Sequence, residues 1–133
     1  MSIPKFEVVA GVIQESSKIL MCRSRAREHY YLPGGKIEAN ETLHEALIRE
    51  CKEEILIDIV PESIKLLYRF EAEAYGFSEP RIVIMNCFTF SYTGEIQPAA
   101  EIDDLLWAGM EDLEKLAPAG KVLMQKIFKE LTD

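Results

Sequence analysis

A chain of 133 residues, 48% of them hydrophobic, is long enough for one compact domain with its own core and needs no disulfide or metal staples. Its formal net charge of −8 argues against a nucleic-acid polymer or an anionic membrane as partner, because both need clustered positive charge. A small phosphorylated ligand remains compatible, since a bound divalent cation reverses the local field.

Residues 6–13 read as a buried strand rich in Val and Ile, and residues 18–22 as a second strand, joined through a polar turn at 14–17. Arg23, Arg25 and Arg27 follow as a basic stretch in an acidic chain. Residues 29–32 read as extended and are broken by the turn Pro33-Gly34-Gly35. The clearest helix covers 43–55, where Thr42 and Glu45 have capping-box spacing. Residues 64–74 and 81–93 read as two long strands, and Gly76, Ser78 and Pro80 between them predict a hairpin. A loop over 98–104, acidic at its end, precedes a short strand at 105–108. An amphipathic helix over about 119–131 closes the chain, with Leu123, Ile127 and Leu131 at helical spacing.

No repeat, linker or low-complexity tract interrupts this order, so residues 1–133 are expected to form one α+β domain. Cys22, Cys51 and Cys87 sit in apolar stretches without metal-ligand spacing, and buried reduced thiols are expected. Residues 1–5 carry no leader pattern and no apolar run is long enough to span a bilayer, so a cytoplasmic location is expected. A monomer and a homodimer both remain open.

The chemistry concentrates between Gly34 and Glu54. At about 100° per residue, Glu50, Glu53 and Glu54 share an arc of roughly 100° on the predicted helix. Like charges at these spacings repel, and Glu54 falls inside the apolar face between Leu43 and Leu47. A charge there must find a partner or shift its pKa. A hard divalent cation with oxygen ligands resolves both problems, and a solvated Glu-rich face balanced by Arg49 and Lys52 is the plainer alternative. Gly34 and Gly35 let backbone groups come close to a ligand, and Lys36 lies where it can meet a phosphate.

Gly35, then five residues, Glu41, seven residues and Arg49-Glu50-Cys51-Lys52-Glu53-Glu54 together resemble the Nudix box, with Leu56 in place of the box's late glycine. The resemblance implies a Nudix fold, with a mixed central β-sheet sandwiched between α-helices. It implies a MutT-like pyrophosphohydrolase that uses Mg²⁺ or Mn²⁺ to cleave a phosphoanhydride of a nucleoside di- or triphosphate derivative. Nucleotide-pool sanitising is one such activity. It further implies metal ligation by Glu50, Glu53 and Glu54 with the Gly34 carbonyl, and support from Gly35, Glu41 and Arg49. Glu50 or a glutamate from a late loop is then the general base, and Glu101, Asp103 and Asp104 are the late-loop candidates. Arg23, Arg25, Arg27 and Lys36 are the expected phosphate contacts. Tyr31 is an expected contact to the base, with Tyr30, Tyr75 and Phe77 as further stacking surfaces.

Leu56 is the one departure from the box. A left-handed conformation costs leucine about 1–2 kcal/mol, so the chain is expected to leave the helix by a route other than the family's. That departure also keeps open a Nudix-like domain that binds a nucleotide metabolite without turning it over.

Overall fold

Strand β1 (Lys5–Gly11) is the centre of the fold. The computed structural model describes residues 2–132, with side chains through Lys129. β1 is followed by β2 (Gln14–Glu15), β3 (Lys18–Ser24), β4 (Gly34–Lys36) and helix α1 (Leu43–Ile55). Then come β5 (Asp58–Ile59), β6 (Lys65–Glu73), β7 (Ile82–Thr89), β8 (Tyr92–Thr93), β9 (Ile102–Ala108) and helix α2 (Pro118–Thr132). Four strands form a sheet in the order β4-β1-β7-β6, in which β1 and β7 run parallel and the other pairs antiparallel. The sheet is therefore mixed, as expected. A second, antiparallel sheet has the order β2-β3-β9, and β5 pairs with β8.

The side-chain period of two in β1 divides the core. Val9 packs with Leu47, Cys51, Ile55 and Phe88 beneath α1, while Ala10 packs with Met85, Cys87, Leu123 and Met124 beneath α2. Each fully buried Leu or Ile contributes about 1.5–3 kcal/mol. The two clusters thus hold one helix on each face of the sheet. All three cysteines are buried and unpaired. Among the described residues no helix is long and apolar enough to cross a membrane.

Several elements depart from expectation. The strand expected over 81–93 ends at Thr89, and Tyr92–Thr93 pairs separately with β5. The loop expected over 98–104 ends early, because β9 starts at Ile102 and pairs Asp104 with Arg23. Aspartate is a poor strand former, and burial of Ile102 overrides it. Residues 29–32 contribute only isolated bridges, Tyr31 to Cys22 and Tyr30 to Leu116. The last helix starts at Pro118, whose missing N–H costs nothing in a first turn. Leu123 and Ile127 pack on the α2 face of the sheet, while the side chain of Leu131 lies outside the described residues.

Candidate active site

Two glycines set how closely α1 approaches the sheet. Gly34 has φ +150°, and a Cβ there would stand 2.0 Å from the Val9 carbonyl oxygen. A Cβ on Gly35 would stand 2.7 Å from the Glu50 carboxylate. Strand β4 therefore has room for the carboxylates of α1 against it only as glycine. The Gly34 N–H donates to Glu54 Oε1 at 2.7 Å. The contact shown for Gly34 is thus through its N–H, whereas the box resemblance implied its carbonyl.

Helix α1 begins and ends as its sequence dictates. Glu45 N–H donates to the Thr42 hydroxyl and the Thr42 N–H to the Glu45 carboxylate, closing the capping box. Arg49 then organises the acidic arc. Its Nε and Nη2 fork onto Glu41 at 2.7 and 2.9 Å, Nη1 donates to Glu50 at 2.8 Å, and Nη2 also reaches the Lys36 carbonyl at 3.1 Å. Glu53 lies 3.6 Å from the same guanidinium. The Arg49 fork and the Glu38 N–H hold the Glu41 carboxyl down at about 2. Burial raises Glu50 while Arg49 opposes the rise. Glu54 is only 3% exposed, and burial pushes it up to about 8. The Gly34 N–H works against that shift, and the charges of Glu50, Glu101 and Glu53 add to it. Among the described residues no cation pairs with Glu54.

The route out of α1 corrects the expectation for Leu56. Leu56 adopts the left-handed conformation, φ 59° and ψ 29°, with its N–H bonded to the Lys52 carbonyl. The buried Ile57 and Ile59 fix the chain beyond it, so packing offsets the cost that leucine incurs there. The helix's open carbonyls are taken by a distant segment. Gln97 N–H donates to Ile55 C=O at 3.1 Å and Ala99 N–H to Glu54 C=O at 2.9 Å. That docking brings Glu101 near the acidic arc, and the Arg25 N–H holds the Glu101 carbonyl from the other side at 3.2 Å. The sequence carries no signal for it, because backbone groups make the contacts.

On the other face of the sheet lies a cavity of about 310 Å³, with Phe6, Val8, Leu32 and Met85 among its apolar walls. Gly34, Gly35 and Glu101 also line it, so the cavity opens toward the acidic arc. Of the three late acidic candidates, Glu101 lines the cavity and the other two do not. Asp104 accepts a hydrogen bond from the Tyr30 hydroxyl and pairs with Arg23 at 3.5 Å, and Asp103 is an exposed residue of β9. Tyr31 lines the cavity, and burial pushes its hydroxyl up to about 12, so it is a neutral donor.

The expected cations separate. Arg27 lines the cavity, while Arg23 is occupied by Asp104 and the Tyr30 ring, and Arg25 is exposed away from the cavity. Lys36 stands over the Phe6 ring at 5.2 Å and over the exposed Phe77 ring at 6.0 Å. His29 and His44 pack edge-on against Tyr75 and Phe88. Sequence reasoning gave Tyr75 as a stacking surface and missed the role of its hydroxyl, which accepts hydrogen bonds from two backbone N–H groups. It also missed Ser24 and the first turn of α2 as lining.

The model of the NUDIX domain matches residues 5–131. The chain belongs to the Nudix family. An uncharacterized Nudix hydrolase of Bacillus subtilis, YvcI, is 28% identical over 108 residues, which are 81% of this chain and 68% of that protein. The CTP pyrophosphohydrolase of Escherichia coli is 29% identical, over 90% of this chain and 88% of its own length. The solution structure of the E. coli ORF135 protein superposes with a TM-score of 0.72 at 28% identity, covering 96% of this chain and 91% of the other. The chain spans less than half the length of several further curated relatives.

Nudix hydrolases generally use divalent metals such as Mg²⁺. Among the described residues, no three His, Cys, Asp or Glu side chains converge as a ready-made cage. The donor chemistry nevertheless fits a hard cation. Glu50, Glu53 and Glu54 offer only oxygens, and Glu54 is buried among acids without a cation.

Proposed function

We propose that this chain hydrolyses a phosphoanhydride bond of a nucleoside di- or triphosphate derivative, with Mg²⁺ or Mn²⁺ held by Glu50, Glu53 and Glu54. The observation that carries this reading is Glu54, a buried carboxylate among three other acids, beside a ligand-sized cavity. The cation supplies neutralisation of phosphate oxygens and acidification of the attacking water. Glu101, at the cavity wall and electrostatically coupled to Glu50 and Glu54, takes the proton from that water. Arg49 is not in the cavity wall, and its role is to hold Glu50 and Glu41 in register. Arg27 and Lys36 meet phosphate oxygens as the attack proceeds, and the neutral Tyr31 hydroxyl donates to the base or sugar. Arg23 is assigned to Asp104 rather than to substrate.

The resemblance to a CTP pyrophosphohydrolase over most of both chains makes CTP the first member of a test panel. The panel contains nucleoside tri- and diphosphates, each with Mg²⁺ and with Mn²⁺, scored by release of phosphate or pyrophosphate. Turnover of at least one member should require the cation and fall by about 10²–10³-fold in Glu53→Gln or Glu54→Gln. Turnover unchanged in both variants would sink the site assignment. Metal-independent binding with no turnover would favour the binding-only reading. Leu56 does not favour that alternative, since it holds the left-handed conformation a glycine would hold.

A further inference from the structure

The phenol oxygen of Tyr75 sits at a junction between segments distant in sequence. It accepts the Glu28 N–H at 3.1 Å and the His29 N–H at 2.9 Å, and it lies 3.3 Å from His29 Nδ1. One side chain from the turn just beyond β6 thereby fixes the loop that follows β3. The same loop carries Arg27, whose guanidinium lies 5.8 Å from the centre of the Tyr75 ring. Gly76 completes the arrangement, because a Cβ there would stand 2.8 Å from Arg27 Cζ. The loop residues 25–28 are exposed, with no apolar side chain in the core, and beside the Tyr75 contacts two backbone bonds hold them, Arg25 N–H to the Glu101 carbonyl at 3.2 Å and Arg27 N–H to the Ser24 carbonyl at 3.1 Å. Arg27 and Tyr75 both line the cavity, and among the described residues no carboxylate pairs with Arg27.

We propose that Tyr75 is a positioning residue: by holding the Glu28 and His29 N–H groups it fixes the loop after β3, so that Arg27 stands at the cavity to receive an anionic group of the substrate. The assignment rests on the hydrolase reading above. It explains why, of three neighbouring arginines, Arg27 is the one presented to the cavity. Arg23 is tied to β9, and Arg25 is held by its backbone N–H to the Glu101 carbonyl. A guanidinium held on a ring and ordered before binding loses less freedom when it meets a phosphate. A mobile one would bind the same anion more weakly.

Tyr75→Phe keeps the ring under Arg27 and removes only the oxygen. The first measurement needs no substrate. Hydrogen exchange on the full chain should show the Glu28 and His29 amides exchanging at least about ten-fold faster in Tyr75→Phe than in the wild type, as expected for a lost hydrogen bond. Equal exchange overturns the clasp. The second measurement uses CTP with Mg²⁺, or the best-cleaved member of the panel. Arg27→Ala and Tyr75→Phe should each raise KM on the order of ten-fold with kcat nearly unchanged, the size of one charge-assisted hydrogen bond. The double variant should be no worse than Arg27→Ala alone. Additive effects, or a fall confined to kcat, overturn the positioning role. A wild type that cleaves nothing overturns the hydrolase reading and with it the role of Arg27, while the exchange result stands or falls separately.

Discussion

Glu54 concentrates the conflict between stability and use in one residue. Its carboxylate is buried at the end of an otherwise well-packed helix, with one N–H donor and three acidic neighbours. In the metal-free protein its folded pKa of about 8 lies above the ordinary 4.5, so the folded state binds the proton more tightly than the unfolded chain does. The stability is fully present below about pH 4.5 and is lost as pH rises through about 8. Glu54→Gln keeps an oxygen to accept the Gly34 N–H and removes the charge. In urea titrations without metal, the variant should match the wild type near pH 4.5 and exceed it near pH 8.5 by on the order of a few kcal/mol. Parallel stabilities across that range would mean that Glu54 ionises freely. By contrast, Glu41 is held low by Arg49, so its contribution is present above about pH 4.5 and fades only as pH falls toward about 2. The two carboxylates are shifted in opposite directions, Glu41 downward by the Arg49 guanidinium and Glu54 upward by burial, against the Gly34 N–H.

At the scale of the element, α1 was legible because each of its signals is local. The capping box, the apolar face and the acidic arc all repeat within 13 residues, and the helix has the bounds its sequence predicts. The exit was misread for the opposite reason. Whether leucine tolerates φ 59° depends on the burial of Ile57 and on the backbone of residues 97–99, neither of which propensity reports. The strain is still present and can be released. Leu56→Gly removes about 1–2 kcal/mol of left-handed cost and gives back about 0.4–1 kcal/mol through the more flexible unfolded chain. Leu56 is 42% exposed, so some burial is lost as well. The variant should be as stable as the wild type or more stable by up to about 1 kcal/mol, measured as a shift in urea midpoint at unchanged slope. A loss larger than that would mean that the Leu56 side chain contributes packing that outweighs its backbone strain.

Across the whole molecule, strand β1 separates two kinds of information. On the α1 side lie carboxylates whose spacing revealed them in the sequence. On the other side lies a cavity assembled from β1, β7, the loop after β3 and the start of α2. Which of Arg23, Arg25 and Arg27 faces it was not legible, because Asp104 and Tyr75 make that choice from more than 45 positions away. The two faces meet at Gly34 and Gly35, where α1, β4 and the segment leading to Glu101 converge. A cation held by Glu50, Glu53 and Glu54 would therefore tie together parts of the chain that separate on unfolding. It should stabilise the entire domain and not one helix alone. At about one hundred times its dissociation constant, Mg²⁺ should add about 2.7 kcal/mol, or roughly 10 °C in the thermal midpoint of a domain this size. A chain of net charge −8 gains from any salt, so the comparison needs KCl at equal ionic strength. The Mg²⁺ shift should exceed the KCl shift in the wild type and vanish in the Glu53→Gln, Glu54→Gln double variant. If KCl reproduces it, or if the double variant retains it, the acidic arc is a solvated face and the cation has no seat on α1.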